Sequence, residues 1–145
     1  MTNYTFGTLG KWAQKTKRRT DAVIKDAAQT TVQIIQLPKA KGGRMPVVTS
    51  NLRNSLMSSV AGGAMASGAE NYVMVTASMK GGDVATFTWG NGEVPYARRV
   101  NNGFTGTDKL GRTYAQAGAH FVEGGVDQWP ATLRGSVAKA KARVR

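Results

Sequence analysis

From Thr8 to Leu37 the chain contains no proline, and its apolar and small residues repeat with a helical period. Leu9, Trp12, Ala13, Thr16, Val23, Ala27, Thr31, Ile34 and Ile35 recur at three- and four-residue steps, so they line one stripe of a helix. Lys11, Lys15, Arg18 and Lys25 fall on a second stripe by the same arithmetic. Pro38 stops the helix, because proline removes a backbone donor and disfavours helical geometry in the residue before it. A helix this long in a small protein needs a sheet or another protomer to lie against. The pattern predicts Trp12 as a packing anchor in that contact.

After the helix, residues 39–45 read as a mobile basic loop around Lys39, Lys41 and Arg44. Its two adjacent glycines lack the preceding strand and the Lys-Ser or Lys-Thr pair of a phosphate loop. The stretch Thr49-Ser50-Asn51-Leu52-Arg53-Asn54-Ser55-Leu56 reads as a short helical turn with Thr49 or Ser50 as its cap. Leu52 and Leu56 lie four apart and face inward, and Arg53 points elsewhere, towards an acidic group. The strongest β signal is the pair of segments Tyr72–Met79 and Val84–Trp89, rich in β-branched and aromatic residues. Lys80-Gly81-Gly82-Asp83 between them is a tight-turn signature, so the pair is predicted to form a hairpin, with residues 58–61 adding a third strand. Tyr96 to Val100 reads as a short helix ended by Asn101-Asn102-Gly103, and residues 104–113 as an exposed glycine-punctuated loop. Tyr114 to Glu123 reads as a helical piece. A last helix follows, in which Val126, Trp129, Leu133, Val137, Ala140 and Val144 keep one stripe and Pro130 marks a break or a new first turn. The expected fold is α+β: a long N-terminal helix and a C-terminal helix packed on a small antiparallel sheet with a central hairpin.

Composition narrows the function. At 145 residues and 41% hydrophobic content, the chain suits one domain with a modest core. It contains no cysteine, so disulfides and thiolate metal sites are excluded. No run approaches the length of a membrane span and the polar start is unlike a signal peptide, so the expectation is a soluble protein made in a cytoplasm, with no membrane partner. Twenty Lys and Arg oppose eight Asp and Glu, a net charge of +12 that favours polyanions or acidic protein surfaces. The excess sits at both ends: Lys11, Lys15, Lys17, Arg18, Arg19 and Lys25 in the first helix, and Arg134, Lys139, Lys141, Arg143 and Arg145 in the last. His120 is the only histidine and the carboxylates are scattered. Glu123, three residues on, gives it one possible partner, which is a poor basis for metal or acid–base chemistry. No enzymatic activity and no cofactor are expected.

Three segments taken in order carry a family resemblance. They are Thr49-Ser50-Asn51-Leu52-Arg53-Asn54-Ser55, then Tyr96-Ala97-Arg98-Arg99-Val100-Asn101-Asn102-Gly103, then Phe121 with Pro130-Ala131 ahead of the closing helix. In this order and rough spacing, over about residues 8–145, the chain resembles the tail-completion, or neck, proteins of long-tailed bacteriophages. Their pattern is Thr-Gly-x-Leu-Arg-x-Ser, then Tyr-Ala-x-x-Val-Glu-x-Gly, then a Phe and a Pro-Ala pair. Here Ser50 stands for the usual Gly, Asn101 for the usual Glu, and the gap from Phe121 to Pro130 is stretched.

The resemblance implies one tail-completion-like domain over residues 1–145. It implies a virion protein at the top of the tail, forming a ring, commonly a hexamer, that joins the DNA-filled head to the tail. Partners would be copies of itself, the adjacent head-closure or connector protein, and a tail-terminator or tail-tube protein, with non-specific contact to DNA in the channel. The basic loop 39–45 and the loop 104–113 would supply contacts, together with Arg18, Arg19, Arg44, Arg53, Arg98 and Arg99, since arginine pairs directionally with carboxylates. The rival reading is a basic nucleic-acid-binding protein without enzymatic activity. Against it, the chain carries no recognisable reading motif.

Overall fold

The structure is a computed structural model that describes residues 6–47 and 50–144. It begins with helix α1 (Phe6–Gln36), followed by a 3-10 turn (Lys39–Lys41) and helix α2 (Asn51–Asn54). Strands β1 (Met57–Val60) and β2 (Met65–Ser67), helix α3 (Tyr72–Ala77) and strand β3 (Ala85–Thr88) come next. Helix α4 (Ala97–Asn102), strands β4 (Gly103–Thr107) and β5 (Thr113–Ala117), and helices α5 (Phe121–Val126) and α6 (Trp129–Arg143) complete the chain. The architecture is α+β, with a long N-terminal helix, a C-terminal helix and two small antiparallel sheets.

The three-stranded sheet has the order β2-β1-β3. Met57 pairs with Ser67 on one side and Thr88 on the other, and Ser59 with Met65 and Thr86. By strand alternation Ser58, Val60, Ala66, Ala85 and Phe87 share the inner face, and α1 and α3 cover it. Ile24 and Ala28 of α1 meet Val60, Val75 and Met79 there, while Val32 meets Leu56, Tyr72 and Phe87. A third cluster joins Ile35, Met45, Leu52, Val94, Ala97 and Phe121, with Trp89 set edge-on to Phe121 at 5.9 Å.

One polar side chain knits these clusters together. Gln36, 1% exposed, donates Nε2 to the carbonyls of Arg53 (3.1 Å) and Ala69 (3.0 Å), and its Oε1 accepts from Trp89 Nε1 at 2.8 Å. Every polar atom of the amide is thereby used, as a buried amide requires.

Several sequence expectations change. Tyr72 to Ala77 is a helix and not the first strand of a hairpin with 84–89. Tyr72, Val75, Thr76 and Met79 are all buried, at helical spacing, so one-sided packing on α1 and the sheet overrides the β preference of their side chains. The hairpin in the sheet is β1–β2, and β3 pairs with β1 across the chain; the third strand expected at 58–61 is β1 itself. Residues 39–45 form a closed turn rather than a free loop. Lys39 N donates to the Met45 carbonyl (2.8 Å) and Met45 N to that of Leu37 (3.2 Å), and the Met45 side chain is fully buried. Tyr114–Ala117 is strand, and helix resumes only at Phe121. Thr49 lies outside the described residues, and Ser50, at the N-cap of α2, makes no side-chain cap bond.

Candidate assembly interface

Residues 103–117 form a two-stranded antiparallel arm. Five residue pairs from Gly103↔Ala117 to Thr107↔Thr113 hold β4 to β5, and every residue of β5 is exposed. The stretch expected as a loop at 104–113 is therefore an ordered hairpin and its turn. Asp108 closes the turn: its carboxylate accepts from the backbone N–H groups of Leu110 and Arg112 (both 2.9 Å), from Arg112 Nε (2.6 Å) and from Tyr114 Oη (3.1 Å). Desolvation pushes the Asp108 carboxyl up, but these donors together outweigh it and hold the group below its ordinary value. Leu110, at the tip, is 77% exposed.

The root of the arm is tight. Gly103 has φ +84°, and a Cβ there would come within 2.7 Å of Gln116 O and Gly118 N, so only glycine fits. Arg99 on α4 lies over the Phe104 ring, 4.3 Å from its centre, and Phe104 packs on Tyr114 at 5.9 Å. Asn101 fastens α5 to the same root, its Oδ1 accepting from Val122 N at 3.1 Å and its Nδ2 donating to Glu123 Oε1 at 3.2 Å. The His120–Glu123 pair foreseen from the sequence lies 3.8 Å apart, with both side chains about half exposed. Among the described residues no three His, Cys, Asp or Glu side chains come together as a metal site. No helix among the described residues is long and apolar enough to cross a membrane.

A second surface forms where α1 and α6 pack antiparallel. Arg19 Nε donates to the Val144 carbonyl at 2.8 Å and Ser136 Oγ to Asp26 Oδ2 at 2.6 Å. This packing brings both basic ends of the sequence to one pole. Arg18, Lys25 and Arg143 line one cleft there with Asp21 and Asp26, Arg19 and Lys141 line the groove beside it, and Lys11, Lys15, Lys17 and Lys139 lie on the same two helices. Among the described residues no contact brings Arg134 to these clefts, and Arg145 lies outside the described residues. Both carboxylates are engaged internally, Asp21 by Gly81 N (2.7 Å) and Asp26 by Ser136 and Lys139 (3.7 Å). Trp12, expected as a packing anchor, is 66% exposed at this pole, because α1 runs past the body there; Leu9 is likewise exposed. Of the predicted stripe only Ala27 and Ile35 are buried, both in the second half of α1, and Ala28 and Val32, outside that stripe, complete the buried face.

The six arginines proposed as contacts divide into two sets. Arg53 is turned inward, its Nε donating to the Gln36 carbonyl (3.0 Å) and its Nη2 to Glu70 (2.7 Å). Arg19 ties α1 to α6, and Arg44 lies along Gly124 and donates to the His120 carbonyl at 3.4 Å. Arg18, Arg98 and Arg99 are exposed, Arg18 in a cleft with Asp21, Lys25 and Arg143, and Arg98 and Arg99 beside the arm. The meeting of the two basic ends was not foreseen, since it depends on the antiparallel packing and no local motif signals it. No family model matches this chain, and searches of curated proteins and of solved structures give no match.

Proposed function

We propose that this chain is a structural protomer of the neck of a long-tailed bacteriophage, one copy of a ring, commonly six-fold, that joins the DNA-filled head to the tail. The observation that carries this reading is the convergence of the three resembling segments. Leu52 from the first, Ala97 and Val100 from the second and Phe121 from the third pack in one cluster, although they are far apart in sequence. The glycine positions of the patterns also have a physical reason. Ser50, where the family pattern has Gly, has φ +65°, and Gly103 closes the root of the arm at φ +84°. Both are left-handed backbone that glycine adopts without strain.

A ring protomer needs surfaces that its own fold leaves uncovered. The arm 103–117 offers one and the basic pole of α1 and α6 another, with Arg18, Arg98 and Arg99 among the exposed arginines on or beside them. A stop codon in this gene tests the reading. Electron microscopy of the resulting particles should find DNA-filled heads and finished tails lying unattached; normal infectious virions would overturn it. The double variant Arg98→Glu, Arg99→Glu should stay folded as a monomer and still fail to join heads to tails.

The basic pole also supports a second reading, a nucleic-acid-binding protein. Sequence-selective binding that survives high salt would favour it. Weak binding that falls steeply with salt fits a neck protein near the DNA channel equally well.

A further inference from the structure

We propose that the groove between the N-terminal half of α1 and the C-terminal half of α6 is the docking site for an amphipathic helix of a partner protein, one with an apolar face and acidic flanks. The groove is open to solvent and has a volume of about 480 Å³. Trp12, Val23, Val137 and Ala140 line its floor. Thr16 and Thr20 also line it, but their hydroxyls donate to the carbonyls of Trp12 (3.0 Å) and Thr16 (2.9 Å) on their own helix. With those hydroxyls satisfied, the threonines add little hydrogen-bonding demand to the floor. Trp12 at 66% exposure and Val137 at 37% are the anchors left without cover.

The rim is cationic. Arg19 and Lys141 border the groove. Asp21 and Asp26 do not border this groove; they line the neighbouring cleft with Arg18, Lys25 and Arg143, where Asp26 pairs with Lys139. Three occupants can be weighed on that chemistry. A second copy would bring two poles together, each with nine basic side chains against two carboxylates, and like charges facing across an interface are repelled. A nucleic acid would use the rim but leave an apolar floor with one aromatic ring, where single-strand platforms need several. An acidic amphipathic helix uses both, its apolar residues at i, i+3, i+4 and i+7 entering the groove and its carboxylates meeting the rim. The inference holds whichever virion or cellular protein supplies the helix, and it does not depend on the neck reading.

Fluorescence anisotropy tests it, with the full chain titrated into a labelled synthetic helix that has a leucine face and glutamate flanks. The controls are a permuted peptide of the same composition without an apolar face, and an oligothymidine of equal charge. The faced peptide should bind about tenfold tighter than either control, a difference of the size one well-filled anchor supplies. Trp12→Ala should abolish that advantage without changing the circular dichroism spectrum, and Lys141→Glu should weaken binding and flatten its salt dependence. Equal affinity for the faced and permuted peptides, or tighter binding of oligothymidine, would overturn the proposal. So would wild-type affinity in both variants.

Discussion

The two halves of α1 share one helical stripe and meet opposite surroundings. Its C-terminal half crosses the sheet, α3 and α5, and buries Ala27, Ala28, Val32, Ile35 and Gln36. Its N-terminal half is exposed at every residue from Gly7 to Gln14. Length accounts for the contrast. A helix of 31 residues extends about 46 Å, whereas a compact chain of this size has a radius of gyration of about 15 Å. The body cannot cover such a rod end to end, so a repeat of apolar residues states what a helix can bury without stating what reaches it. The uncovered half then keeps its cations and its tryptophan for something outside the fold.

Removing Gln36 should break the buried half most severely. Gln36→Ala leaves the Trp89 indole N–H and the carbonyls of Arg53 and Ala69 without partners in the core. An unsatisfied buried group costs about 1–3 kcal/mol, so a loss of roughly 3 kcal/mol is expected from a denaturant midpoint series. Gln14→Ala, at an exposed position of the same helix, should change stability by less than about 0.5 kcal/mol. Equal effects at the two sites would contradict the division of the helix.

Paired truncations of apolar residues give the next largest difference. Val32 is 1% exposed against Leu56 and Tyr72, and Val32→Ala should cost about 2 kcal/mol through lost burial and the cavity left behind. Trp12→Ala removes a far larger side chain and should cost less than about 0.5 kcal/mol in the isolated protein. Thermal melts of the two variants would check the reversal of order.

A smaller, stabilising change is expected just beyond the buried end of α1. Ser50 at φ +65° precedes α2, whose Arg53 is bonded to Gln36. Left-handed backbone costs a non-glycine residue about 1–2 kcal/mol, so Ser50→Gly should raise stability by about 1 kcal/mol, and Ser50→Ala should lower it or leave it unchanged. A fall in stability for the glycine variant would remove the backbone reason given for preferring glycine at this position.

How much of this was legible follows the same division between local pattern and tertiary reach. The helical character of α1 and α6 was readable, as were Leu52 and Leu56 facing inward and the start of α6 with Pro130 in its first turn. For Tyr72 to Met79 the sequence held two signals, β-branched composition and a buried spacing of three, four and seven, and the second decided the structure. In the arm, residues 104–113 read as a loop and Tyr114 onward as helix, because every residue of β5 is exposed and the strand carries no alternation of apolar and polar residues to find. Arg53 was readable as seeking an acid and finds Glu70. The basic pole was out of reach, because it exists only after α6 folds back along α1.

The arm supplies the last and smallest contrast, a pH effect confined to an exposed region. The Asp108 carboxyl lies below its ordinary value because the donors of Leu110, Arg112 and Tyr114 favour the ionised form. A depressed carboxyl contributes order above its unfolded-state value and loses it as pH falls through the lower, folded value. Acidification below the ordinary aspartate range, about 3.9, should therefore release the turn. The amide protons of Leu110 and Arg112 should shift in a two-dimensional NMR titration there, with the resonances of the Gln36–Trp89 pair in place. Asp108→Asn keeps an acceptor but loses the charge, so its turn amides should not titrate in that range. If the core resonances moved together with the turn amides, the arm would be coupled to the buried half and could not serve as an independent contact.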